Sequence, residues 1–198
     1  LDAEKKEWDE FIAEMNNAYL KYQDRINSAK TNMQKECEKV GIRFEKCYSY
    51  GYEGRVGWEI EDISKSSIAS KAKLKKNYKL MKINDTDISV INGIAESNAK
   101  TYDRLEQLIY HATELSKKYY QSEYKLSDYQ KKDCEEKKNE IKQDYFNLPE
   151  TKSCYIVYVG GSYGYYYIDD LPSGTKLTFE IFGEYYVWNK EIIEITVP

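Results

Sequence analysis

Few residues in this chain have the types and spacing that catalysis needs. His111 is the only histidine. A Ser/His/Asp relay would need it beside a nucleophile on a sharp strand-to-helix turn; the one Gly-x-Ser-x-Gly string, Gly160-Gly161-Ser162-Tyr163-Gly164, lies between two strand patterns and suits a tight hairpin instead. His111 lies near an apolar helical face and reads as a helix-surface residue rather than a base. Asp169-Asp170 is an adjacent carboxylate pair ahead of a turn. Neighbours on a strand point to opposite faces, so this pair is poorly placed for acid/base work. No Gly-rich phosphate cradle occurs. Asn84-Asp85-Thr86 fits the N-glycosylation acceptor pattern. Cys37, Cys47, Cys134 and Cys154 are not at metal-ligand spacing, and with one His a zinc site is not expected. Four cysteines leave open two disulfides, in any of three pairings, or four buried thiols. No cofactor or metal is expected.

The composition points the same way. Charged residues are 32% and hydrophobic residues 41% of 198, a polar balance that suits long helices with solvated outer faces. Tyr is unusually common, at 21 residues, and its rings can cover a half-wet surface. Residues 149–198 carry 3 basic and 7 acidic residues, and no stretch concentrates the basic charge that nucleic acid requires. No apolar run approaches the ~20 residues of a membrane-spanning helix.

The elements follow from periodicity. Trp8, Ile12, Met15, Tyr19, Tyr22, Ile26, Ala29 and Met33 alternate steps of four and three, a heptad seam widened by Phe11. The spacing predicts a helix over 4–39 that stops at Gly41. At ~1.5 Å per residue it is about 50 Å long and needs helical partners. Residues 42–50 read as a strand, and Tyr48 to Val56, with Gly51 and Gly54, as a loop. Trp58, Ile60 and Ile63 with intervening charges make a strand. One helical turn at Ile68–Ala72 and a strand at Lys79–Ile83 follow, ending in the turn signal Asn84-Asp85. From Asn98 the pattern is helical through Leu105, Leu108, Ile109, Ala112, Leu115 and Tyr119. It reverses around 121–126, and Ser127-Asp128 caps a return helix that ends before Leu148-Pro149. Cys154 to Asp169 is a Tyr-rich hairpin about Gly160-Gly161-Ser162, one face of which covers the core. Leu177, Phe179, Ile181 and then Ile193, Ile195, Val197 alternate as two closing strands around Gly183-Glu184.

The stretch from Gly57 to Ser89 resembles a PDZ domain of the bacterial type. Ser67-Ile68-Ala69-Ser70-Lys71-Ala72-Lys73-Leu74 lines up with the family's Ser-Pro-Ala, two variable residues, then Ala-Gly-Leu. Asn77-Tyr78, Leu80 to Ile83 and Asn84-Asp85 line up with its Gly-Asp, apolar strand and Asn-Gly. Ile68 stands for Pro, Tyr78 for Asp, and Lys73, Asn77 and Asp85 for Gly. Pro172-Ser173-Gly174-Thr175 resembles the family's Pro-Gly-Thr turn with one extra residue. The resemblance spans 42–92 and 171–198, about two fifths of the chain.

It implies a PDZ-like small β-barrel or sandwich; the long N-terminal helix and the inserted helical hairpin lie outside it, and their apolar seams predict a coiled three-helix bundle, so the whole is expected to be α+β. The segments are 1–40, 41–97, 98–148 and 149–198. It also implies a peptide-binding site. The family's carboxylate loop falls on Arg55, Val56, Gly57 and Trp58, whose backbone N–H groups would hold a peptide C-terminus, with Arg55 adding charge. The peptide would lie as an added strand between the strand starting at Trp58 and the helix near Tyr102 to Ile109. Glu59 and Ile60 would give backbone bonds, and Leu105 and Ile109 an apolar pocket. The expected function is a non-enzymatic protein- or peptide-binding module. Two alternatives are a structural or assembly protein, homo-oligomeric through its helices, and a regulatory fragment of an envelope protease. The resemblance, the even Cys count and a first residue other than Met favour an exported or envelope location.

Overall fold

The structure, a computed structural model, describes residues 1–45, 49–50, 56–121, 125–148, 155–160, 163–181 and 191–198. In chain order its elements are α1 (Asp2–Val40), β1 (Ile42–Phe44), β2 (Ser49–Tyr50), β3 (Val56–Ile63), α2 (Ile68–Lys71), β4 (Lys79–Ile83), β5 (Thr86–Asp87), α3 (Ile88–Tyr120), α4 (Asp128–Phe146), β6 (Ile156–Val159), β7 (Tyr165–Ile168), β8 (Lys176–Ile181) and β9 (Glu191–Thr196). The fold is α+β, with a long N-terminal helix and an antiparallel main sheet. Contacts divide the chain into two units, one of residues 1–24 and 100–151, the other of 25–99 and 152–198.

The first unit is helical. The seam of α1 buries Trp8, Phe11 and Met15 in one apolar cluster with Leu105, Leu108 and Ala112 of α3 and Ile141 of α4. The Trp8 indole N–H donates to the Ala112 carbonyl at 3.3 Å, so the ring is buried without an orphaned donor. Ser127 caps α4 in a reciprocal box: its hydroxyl accepts from the Gln130 N–H, and the Gln130 side chain accepts from the Ser127 N–H.

The second unit holds the sheet, of order β1-β3-β4-β8-β9, with β2 also on β3 and β5 on β4. The alternation in β3 and β8 sends Trp58, Ile60, Leu177 and Phe179 inward, each no more than 1% exposed. Lys79↔Glu180 through Ile83↔Leu177 joins β4 to β8, so the β-rich stretches on either side of the helices share one sheet. A separate ribbon of β6 and β7 pairs Ile156 with Ile168 and Tyr158 with Tyr166, and adds Ile156, Tyr166 and Ile168 to the core.

Two differences from the sequence reading stand out. Helix α3 starts at Ile88, ten residues before Asn98. Gly93 masks a helical face at 88, 91, 95 and 99, all of which are buried; its cost of ~1 kcal/mol is outweighed by burying Ile88, Ile91 and Ala95 in the sheet core. Val56, read as loop, is strand, and so are Ser49 and Tyr50, where the strand reading of 42–50 and the loop reading of 48–56 overlapped: Ser49 pairs with Gly57, and Tyr50 with Val56.

Turn chemistry is visible in the backbone. Gly41 ends α1 at φ +77, and a side chain there would fall 2.1 Å from Ser67 Cβ. Lys73, Asn77 and Asp85 hold φ of +63, +71 and +65. Lys73 is exposed, so Lys73→Gly removes left-handed strain without losing packing. The expected result is a gain of about 1 kcal/mol, read as a higher urea midpoint at unchanged slope.

Candidate functional site

The sequence places a peptide site on β3, and the structure brings Val56, Gly57, Trp58, Glu59 and Ile60 together there. Arg55 lies outside the described residues. β3, however, is an interior strand. On one side β1 pairs with it through Ile42↔Ile63 and Phe44↔Ile60, and β2 through Ser49↔Gly57. On the other side Trp58 pairs with Leu80, and Glu59 with Lys79. The backbone groups expected to greet a peptide are in use. Ile60 N–H donates to the Tyr78 carbonyl at 2.9 Å, Ile60 carbonyl accepts from Asn77 N–H at 3.0 Å, and Glu59 carbonyl accepts from Glu45 N–H at 3.1 Å. An added strand finds no open edge at Glu59 and Ile60.

Gly57 has a packing role. A Cβ there would sit 2.6 Å from Met81 Sδ and 3.1 Å from the Leu80 carbonyl oxygen, so the bare backbone lets β4 close on β3. Gly57→Ala is expected to lower stability by about 1–2 kcal/mol, measured by thermal or urea unfolding, because backbone as well as side chain must move. Trp58 is fully buried, edge-on to Phe44 at 5.7 Å. Its Nε1 has no hydrogen-bond partner among the described residues.

Tyr102, Leu105 and Ile109 belong to the helical unit, whereas the β3 residues belong to the sheet unit. Leu105 is buried in the helical cluster, Ile109 packs against it, and Tyr102 stacks on Tyr22 at 3.9 Å. The part of α3 that joins the sheet core is Ile88, Ile91 and Ala95. The pocket expected at 102–109 rested on starting the helix too late.

The other sequence candidates have structural partners. Asp169 accepts from Arg25 Nε at 2.7 Å in a half-buried pair. Asn84, the first residue of the glycosylation pattern, donates its amide to the Tyr155 hydroxyl at 3.0 Å and accepts the Lys176 N–H at 2.8 Å. His111 is exposed on α3. Cys37 and Cys134 are buried free thiols, so the two-disulfide arrangement does not form; Cys47 and Cys154 lie outside the described residues. Burial pushes the Cys37 thiol up to about 11, against a hydrogen bond from the Phe44 backbone that lowers it, which leaves it protonated and unreactive at neutral pH. Among the described residues no group of three His, Cys, Asp or Glu could hold a metal ion, and no helix is long and apolar enough to cross a membrane.

Sheet order exposes what sequence reasoning missed: among the described residues β9 is a terminal strand. Val197 N–H donates to the Thr175 carbonyl at 2.8 Å. In an antiparallel ladder of register Leu177↔Ile195, that makes 191, 193 and 195 the residues bonded to β8. The N–H and C=O groups of Ile192, Glu194 and Thr196 face outward, and no strand pairs with them among the described residues. Ile192 is 57% exposed on that edge. The only signal in the sequence was the Ile-rich alternation itself, which does not say which edge stays open.

Comparison with protein-family models, with curated proteins and with solved structures finds no match to this chain.

Proposed function

We propose that the chain is a non-enzymatic protein-binding module of PDZ-like fold, whose helical unit is an inserted, coiled three-helix bundle. The observation that carries this reading is the backbone sign at three positions. Lys73, Asn77 and Asp85, where the family pattern has Gly, all have positive φ, which L-residues adopt at a cost. The pairing of β4 with β8 across the helical insertion supports the same reading. The shared cluster of Trp8, Met15, Leu105 and Ile141 supports the bundle. Because β3 is interior, the module takes its partner as a strand added to an edge of the sheet.

Calorimetric titration of the full chain with a panel of C-terminal peptides, each with a free and an amidated end, tests the reading. Saturable binding is expected. Loss of binding on amidation would assign a hold on the carboxylate, and equal binding by both forms would assign strand addition alone. A panel in which nothing binds would remove the module reading.

An assembly role is the second reading, favoured by the bulky side chains left open on α4, Tyr129 at 80% and Phe146 at 72% exposure. Light scattering over a dilution series of the full chain distinguishes it, since assembly requires a mass that falls on dilution.

A further inference from the structure

We propose that the outer edge of β9 is the docking edge, and that it takes an extended segment of another protein in which basic and apolar residues alternate. This rests on the module reading above and assigns its site and the chemistry of its partner. Exposed edge strands are usually protected by Lys, Pro, a bulge or extreme shortness, because free N–H and C=O groups recruit other strands. Residues 191–196 are six in number, regular in register, and contain neither Lys nor Pro. Three outward N–H groups and three outward C=O groups therefore stand in line, at Ile192, Glu194 and Thr196.

Charge selects the partner. Glu191 and Glu194 lie on the strand, and Asp85 lies close by through its bond to Lys176 at 2.7 Å. Lys176, 3.5 Å from Glu194 and 2.7 Å from Asp85, is shared by two carboxylates, and Glu191 at the other end of the strand has no cation partner among the described residues. A basic side chain laid alongside Glu194 balances the surplus. On the core face of the sheet, Ile193 and Ile195 run along the edge, half-buried and buried, and call for apolar neighbours at the alternate positions of the incoming strand. A second copy of this chain fits worse. Edge-to-edge pairing would bring the Glu residues of both copies together, and like charges across strands repel.

Fluorescence anisotropy with a labelled peptide of alternating Lys and Val, and a Glu-Val counterpart, tests the proposal on the full chain. The Lys-Val peptide is expected to bind, more weakly as salt rises, and the Glu-Val peptide not to bind. Ile192→Pro deletes one outward N–H while leaving the inward bonds of 191, 193 and 195 to β8, and should weaken Lys-Val binding about tenfold. Glu194→Lys should weaken it and narrow the preference over Glu-Val. Because Ile192→Pro could unfold the sheet, two N-methylated Lys-Val peptides supply an independent arm. Methylation at one alternate set of residues blocks the edge facing β9, and at the other set blocks the edge facing solvent, so one peptide must lose binding and the other keep it. Equal binding by both, or wild-type binding by folded Ile192→Pro, overturns the edge assignment and leaves the module reading in place. Binding by neither Lys-Val nor Glu-Val overturns the basic-strand partner, and the C-terminal peptide panel then judges the module reading separately. A dimer in light scattering that Ile192→Pro dissolves also overturns it, with a second copy as the occupant.

Discussion

Trp58→Ala is expected to cost about 3–5 kcal/mol and to lower the urea midpoint accordingly. The ring is fully buried in the core under the sheet, edge-on to Phe44, and in the same cluster as Ile60, Leu80 and Phe179. Removing it leaves a cavity that paired strands cannot close by collapse, because β3 is hydrogen-bonded along both edges. Trp58→Phe should cost much less, about 1–2 kcal/mol. Phe keeps most of the apolar volume and removes an indole N–H that is buried without a partner among the described residues, recovering its desolvation cost. The pair of variants also separates two roles for this residue. As a core residue, Trp58→Phe leaves peptide affinity unchanged in calorimetry; as part of a carboxylate loop, it would change affinity at constant stability.

Much of the fold was legible because burial writes itself into periodicity. Trp8, Met15, Tyr22, Ile26 and Ala29 repeat at heptad spacing, and all are buried in α1. Ser127 followed by Gln130 marked the start of α4, and the cap is present. The β3 and β4 patterns held for the same reason. The start of α3 was hidden because Gly93 and the short apolar run at Ile88 imitate a strand remnant, and only a sheet surface to pack against turns 88–99 into helix. The site was harder still. Gly57 fits equally a loop around an anion and a close approach of two strands, and the contact to Met81 that decides it depends on the β3–β4 register. Which strand ends the sheet depends on the order of all the others, so an open edge leaves no local mark in the sequence.

Lys138 in the helical unit carries the second large effect. Its side chain is almost fully buried on α4, and its ammonium donates to Glu135 at 3.0 Å, the Tyr120 hydroxyl at 3.1 Å and Glu4 at 3.3 Å, both carboxylate side chains being themselves partly exposed. It also lies 5.3 Å from the Trp8 and Tyr119 ring centres and 5.6 Å from that of Tyr120. Lys138→Ala strips the stem from three aromatic faces and the partner from Tyr120, and is expected to cost about 2–4 kcal/mol in urea unfolding. Lys138→Met keeps an unbranched stem of similar volume and should stay within about 1 kcal/mol of wild type, since an apolar replacement for a buried ion pair is often neutral. Burial alone would lower the Lys138 pKa, but the Tyr120 hydroxyl and the Glu135 carboxylate favour the charged form more, and the pKa lies above its ordinary 10.5. A raised folded-state pKa stabilises fully at any pH below the ordinary lysine value and is lost only as pH rises through the folded-state value. The stability difference between wild type and Lys138→Met should therefore be flat across neutral pH and shift against wild type only in strong alkali. A change centred near neutrality would mean that Lys138 is not held charged by this cage, and that the packing of Trp8 and Tyr120 alone accounts for the cost of the Ala variant.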